Sequence, residues 1–325
     1  PIIFYFCLRE KFGEINKSLV LLLSSILLLN PFFRNSSYWG LEENYAIISA
    51  LISLLYLLKL SNYKQNNSYR ILLYIFFIVL FSSLSIYFDQ KFLIIPLVCF
   101  LKIITRNYLN KYKLLATFLY IIFSIPYLFL IKLWGGIFPS NIYLVGNQFY
   151  FHHFGYALTI IAFIFFPFVF LKSINLKDQF YSFIKNQKIF ILLIPILAYL
   201  IVLLFFYNDN FFNNRLDGGG IIKKISLIFF TSLFLKKIFI SFSILISWFF
   251  IFLFFEQKRY NLLLTVYFLL IAIIVKPFYQ EYYDPIIFFL ILFVYKINFK
   301  LSFAKVYFLY AYFLIFLIGV NFYFN

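Results

Sequence analysis

The chain has 325 residues, 65% of them hydrophobic and only 12% charged. A soluble domain has about 45–50% apolar and about 25% charged residues, so this composition excludes one and indicates an integral membrane protein. The net charge of +17 raises nucleic acid as a partner, but in a membrane chain Lys and Arg collect in cytoplasmic loops, and no nucleic-acid partner is expected.

The apolar runs are continuous rather than alternating, which favours helices over a barrel. The expected fold class is all-α: a polytopic membrane protein in one domain, residues 1–325, with about eleven transmembrane helices. Phe, Ile, Leu, Tyr, Lys and Asn dominate, a bias that fits an AT-rich genome and weakens any single aromatic as a site marker. Cys7 and Cys99 both fall in apolar runs and offer neither metal spacing nor a disulfide framework. Pro1 to Leu8 reads as the tail of a helix, not as a signal peptide, because no charged segment precedes it and no small-residue cleavage site follows.

In chain order, apolar runs predict spans near 18–33, 45–60, 71–88, 91–104, 114–131 and 155–171. Further spans follow near 189–207, 239–255, 260–275, 285–295 and 306–323. The run 225–235, bracketed by lysine pairs, is too short to cross and reads as an amphipathic or re-entrant piece of an outer loop, 208–237. Alternate connectors differ sharply in charge. Loops 9–17, 59–70, 102–113, 172–188, 256–259 and 296–305 hold 19 Lys and Arg; loops 31–44, 88–91, 132–154, 208–237 and 276–284 hold 9. The first set is therefore assigned to the cytoplasm. The second set holds seven of the eleven acids and both histidines.

The outer loops carry the candidate chemistry. Asn30 to Tyr45 contains Pro31, Arg34, Tyr38 and the adjacent carboxylates Glu42 and Glu43, which beside lipid must meet water, a cation or a substrate. In the turn Phe88 to Lys91, Asp89 and Gln90 can hydrogen-bond a polar substrate, or simply be solvated. Asn147 to Phe154 contains His152 and His153; adjacent histidines in regular structure face different ways, so a shared metal is not expected, and a hydrogen bond to phosphate or sugar is preferred. Asn208 to Lys224 lacks a nucleotide-loop spacing, but Arg215, Lys223 and Lys224 can attract phosphate. Between Lys276 and Pro285, Glu281, Tyr282 and Asp284 crowd into one short connector, where Lys276 can pair with Glu281 or hold a lipid phosphate.

Asn30-Pro31, Tyr38 and Glu42-Glu43-Asn44-Tyr45 resemble a segment of the GT-C membrane glycosyltransferases. Asp89-Gln90 before Phe92 to Pro96 is similar to that family's Arg-Gln turn, with Asp89 where an Arg is usual. Leu133 to Gly136 with Pro139, Asn147 to Phe154, and Glu281 to Pro285 are similar to the subgroup resembling the α-1,2-glucosyltransferase that completes the lipid-linked oligosaccharide. The resemblance implies a GT-C-like fold and transfer of a sugar from a polyprenyl-phosphate donor to a glycan, lipid or protein acceptor. It implies an active face outside the membrane, periplasmic in a bacterial inner membrane. It also implies that the usual catalytic Asp lies in an N-terminal piece preceding Pro1. No cofactor is obligatory, although a divalent cation suits the departing phosphate. The residues alone leave two other readings open, a lipid-linked glycan transporter or flippase and an O-antigen-type polymerase. The polymerase would use paired outer arginines, and only Arg34 and Arg215 lie outside.

Overall fold

A computed structural model describes residues 1–13, 15–31, 33–34, 40–63, 67–106, 108–135, 150–172, 181, 188–206, 220–254, 259–274, 283, 286–295 and 297–324. Among these residues the structure is helical, with no strand beyond an isolated bridge between Lys172 and Phe299. Among the described residues, five helices are long and apolar enough to cross a membrane: Glu42–Asn62, Ser68–Phe88, Asn110–Leu133, Phe151–Val169 and Leu233–Phe252. Lys17–Leu29, Leu193–Phe205 and Phe303–Gly319 are shorter apolar helices.

The chain falls into two compact units, Pro1–Asn141 with Leu292–Val294 and Ser302–Asn325, and Ile142–Ile291 with Tyr295–Leu301. In the first unit, α1 (Ile2–Phe12) and α2 (Lys17–Ser25) precede the long hairpin of α3 (Glu42–Asn62) and α4 (Ser68–Phe88). The unit continues with α5 (Ile94–Ile104) and α6 (Asn110–Trp134). The hairpin is the core. Ala46, Ala50 and Leu54 of α3 are fully buried, as are Ile75, Ile78 and Val79 of α4. The buried Ser53, Ser82 and Ser85 turn their hydroxyls onto the carbonyls of Ala50, Val79 and Ser82, which lets serine sit in an apolar helix without an unmet donor.

Several predicted boundaries move for local reasons. The run 18–33 stops at Leu29, because Asn30 accepts the Phe33 amide at 2.9 Å and caps a new turn with Pro31 in first position. α3 begins at Glu42, so Glu42 and Glu43 are not loop charges; they occupy its first turn, where the helix dipole favours anions. The run 91–104 is a 3₁₀ turn, Gln90–Leu93, leading into the 11-residue α5, and 285–295 is a four-residue helix, Ile286–Phe289, leading into a π turn at Leu290–Val294. At about 1.5 Å per residue, neither reaches across a core about 30 Å thick. The piece 225–235 is not a single element either. α9 (Gly220–Phe229) ends before residues 230–232, and α10 (Leu233–Phe254) takes Leu233 to Lys237 into its own first turns.

The second unit is built on α7 (Phe151–Val169), whose residues are buried along most of its length. It packs against α9, α10 and α11 (Arg259–Ile274), and α8 (Lys188–Phe206) touches it near its start. Phe154 meets the Tyr199 and Trp248 rings at 5.2 and 6.2 Å, and Phe168 meets Phe288 at 5.3 Å. Gly155 is required by this packing. A Cβ there would lie 2.5 Å from Ile244 and 2.8 Å from the Tyr199 hydroxyl. That same hydroxyl accepts the Gly155 amide at 2.9 Å and donates to the His152 carbonyl at 3.1 Å.

Gly155→Ala should therefore destabilise the protein by about 1–3 kcal/mol through overpacking. Gly319→Ala, in a helix with open space around the added Cβ, should be neutral or gain up to about 1 kcal/mol from helix propensity. Thermal unfolding of both variants in one detergent checks the pair; equal behaviour would sink the packing argument.

Candidate functional site

In the first unit, the ends of the α3–α4 hairpin differ chemically. At one end Tyr45 packs on Phe88, with ring centres 5.5 Å apart, which brings the first turn of α3 beside the turn after α4. There the Lys91 ammonium lies 2.6 Å from Glu43 Oε1 and 3.0 Å from Asp89 Oδ2. Asp89 also caps the 3₁₀ turn, accepting the Lys91 amide at 3.0 Å. The side chains of Lys91, Glu43 and Asp89 are 11%, 25% and 18% exposed, so the cluster is half-buried and still reachable. Glu42 is exposed beside it, Gln90 is half-buried, and Arg34 is exposed.

Electrostatics divide the three roles. Burial pushes the Asp89 carboxyl above its ordinary range, and Lys91 offsets only part of that. Burial works against the Lys91 ammonium as well, but Asp89 and Glu43 together outweigh it and raise its pKa. The two shifts differ because the lysine answers to two carboxylates, whereas Asp89 has one cation and a neighbouring anion. At neutral pH the cation is firmly held.

At the other hairpin end, Arg106 donates to the carbonyls of Leu60 and Ser61, and the Tyr108 hydroxyl donates to Leu60 at 3.1 Å. These are carbonyls left over by the end of α3, where the helix dipole favours a cation. Asn62 donates to the Glu10 backbone and side chain at 2.8 and 2.9 Å. Connectors grouped by charge in the sequence thus meet within this unit: 31–44 with 88–91, and 9–17 with 59–70 and 102–113.

In the second unit, the Tyr150 amide donates to the Ile273 carbonyl at 2.7 Å. The Lys300 amide donates to the Leu171 carbonyl at 2.7 Å, and Lys172 bridges Phe299, so residues of connectors 172–188 and 296–305 meet. His152 and His153 lie in the first turn of α7, with ring centres 4.3 Å apart and edge to face. The expectation that adjacent histidines face apart fails here because both rings gather around Tyr150, His153 stacked at 5.2 Å and His152 edge-on at 5.8 Å. His153 is 2% exposed, with Nδ1 3.3 Å from the Ala272 carbonyl. Lys223 is 1% exposed, its ammonium 5.6 Å from the centre of the Tyr156 ring.

Of the sequence candidates, the structure brings Glu43 and Asp89 together and places His152 and His153 side by side. Tyr38, Asn147, Arg215, Lys276, Glu281, Tyr282 and Asp284 lie outside the described residues. Sequence reasoning missed Lys91 as a site residue. The signal was present: it is the only cation in a four-residue turn that also holds Asp89. Among the described residues, no three His, Cys, Asp or Glu side chains gather to hold a metal.

The coupling gives a signed titration. Replacing Lys91 by Met removes the cation that holds Asp89 down, so the Asp89 carboxyl should take up its proton at a still higher pH. Infrared difference spectra across the acid range, assigned with Asp89→Asn, read this directly. An Asp89 titration unmoved by Lys91→Met would mean that the cluster is not electrostatically coupled.

Comparison of the chain with known protein families, with characterised proteins and with solved structures finds no match.

Proposed function

We propose that the protein is a membrane glycosyltransferase of GT-C-like, polytopic all-α architecture, transferring a sugar from a polyprenyl-phosphate donor to an acceptor at the extracytoplasmic face. The observation that carries the reading is the Glu43–Lys91–Asp89 cluster, a carboxylate and a cation held together at one end of an apolar hairpin. Such a donor keeps its tail in hydrocarbon and its phosphate at the boundary, so its reacting bond lies at the depth of a hairpin end.

The chemistry assigns a role to each group. The donor phosphate enters opposite Lys91 and takes the place of Glu43 on the ammonium, which frees Glu43 as a base. The acceptor hydroxyl loses its proton to Glu43 as its oxygen bonds the anomeric carbon. The bond from that carbon to the phosphate oxygen breaks, and the electron pair leaves with polyprenyl phosphate, whose charge Lys91 stabilises. Asp89 holds Lys91 in place. Glu42, exposed beside this cluster, is the second candidate base. Arg34 and Gln90, in the same unit, are assigned to donor and acceptor binding, and a divalent cation can assist the departing phosphate.

A second reading, transport of a lipid-linked glycan, draws support from Lys236, a buried lysine inside the candidate span Leu233–Phe252. An ionisable side chain within a span marks a substrate or ion pathway by default.

The test uses the purified chain in nanodiscs with a radiolabelled polyprenyl-phosphate hexose and a membrane extract as acceptor. Label should move from donor to acceptor, and Glu43→Gln or Lys91→Met should slow the transfer by about 10²–10⁴-fold, the range of a lost acid–base group. Label crossing a vesicle membrane on an intact donor would overturn transfer in favour of transport. Full activity of both variants would overturn the assignment of this cluster.

A further inference from the structure

Two cavities of the first unit lie far from the Glu43 cluster. One, of about 340 Å³, is lined by Tyr5, Arg9, Gly13, Asn16, Lys17 and Val20, with Ile15. The other, of about 500 Å³, is lined by Phe6, Arg9, Glu10, Gly13, Leu55 and Lys59. They share Arg9 and Gly13 and so form two lobes of one cleft around the end of α1. Lys59 is sixteen residues beyond Glu43 on α3, about 24 Å along the helix at 1.5 Å per residue. The cleft is therefore a separate site, independent of the proposed transfer reaction.

Its chemistry has two halves. Arg9, Lys17 and Lys59 supply three cations, and the Lys59 ammonium lies 5.3 Å from the centre of the Tyr56 ring. Glu10, the carboxylate on the lining, is turned to Asn62 by a 2.9 Å hydrogen bond. Glu14 lies outside the described residues. The other half is apolar. Phe6, Leu55 and Val20 form walls, and Phe6 is 47% exposed on the same helix as Ile2, which is 74% exposed. Gly13 closes α1 with a φ of 58°, and no atom lies within 4 Å of where its Cβ would be, so the cleft stays open above the turn. Both volumes fall in the range of small-molecule sites, about 300–1,000 Å³.

We propose that this cleft binds the phosphate of an anionic membrane lipid. Arg9 and Lys59 hold the phosphate oxygens from the larger lobe, Lys17 completes the charge from the smaller one, and an acyl chain runs along Phe6 and Leu55. Arginine meets phosphate oxygens in a fork and lysine adds a point charge. A basic patch at a lipid boundary also gains from the negative surface of an anionic leaflet.

The experiment is native mass spectrometry of the full chain released from nanodiscs of mixed phosphatidylglycerol and phosphatidylcholine. Phosphatidylglycerol should be retained selectively. Arg9→Gln with Lys59→Gln should lower that retention by about tenfold or more, given the worth of two boundary cations. Lys111→Gln, an exposed cation outside the cleft, should leave it unchanged. If the double variant does not fold, Lys17→Gln with Lys59→Gln carries the same test. Glycerol phosphate added as a soluble competitor separates the two sources of the phosphate group, and it should not displace the lipid. Retention unaffected by the cleft variants, equal retention of phosphatidylcholine, or full displacement by glycerol phosphate would each overturn the proposal.

Discussion

The structure depends on a constraint that apolar surroundings impose: a charge taken out of water must be answered by a partner within reach. At the first turn of α3 the answer is Lys91, set between Glu43 and Asp89. One lysine ties the start of α3 to the turn after α4, and so fixes that end of the hairpin. At the far end, Arg106 and Tyr108 answer leftover carbonyls instead of carboxylates. The middle of the hairpin needs no such help, because its serines satisfy themselves on their own helices. Polarity is thus confined to the ends, which is also where a lipid-phosphate substrate would meet the protein.

The second unit meets the same demand with hydroxyl and imidazole groups. The Tyr199 hydroxyl serves two backbone positions in the early turns of α7, and His153 leans on the Ala272 carbonyl while stacked on Tyr150. This arrangement is sensitive to shape, as the close approach at Gly155 illustrates. Lys223 extends the pattern to a buried cation facing the ring of Tyr156.

Much of this was legible in the amino-acid order. Long apolar runs gave the helical class, and Lys and Arg counts grouped connectors that then meet within each unit, such as 88–91 with 31–44. Three features were not legible, for different reasons. Whether Glu42 and Glu43 belong to a loop or to a helix depends on where α3 starts, and hydropathy places that three residues late because the helix opens with acids. The meeting of His152 with His153 depends on Tyr150, whose ring collects both; periodicity describes helix interiors and not first turns. Lys91 looked like an ordinary turn residue because its partner Glu43 is 48 positions away. The runs 91–104 and 285–295 misled for another reason, since hydrophobicity records burial equally well in a short packed helix and in a span.

α6 presents a different consequence. Only 6% of its span is buried, and it meets its unit along one stripe: Tyr112 and Ala116 are buried, Tyr120 bonds Ser82, and the Phe123 carbonyl accepts from Tyr87. Tyr127 also meets the Tyr87 ring, 6.3 Å away, and most of the remaining side chains are exposed or half-buried. Selection on that surface sees partition into hydrocarbon and little else, so exchanges among Leu, Ile and Phe there are nearly neutral.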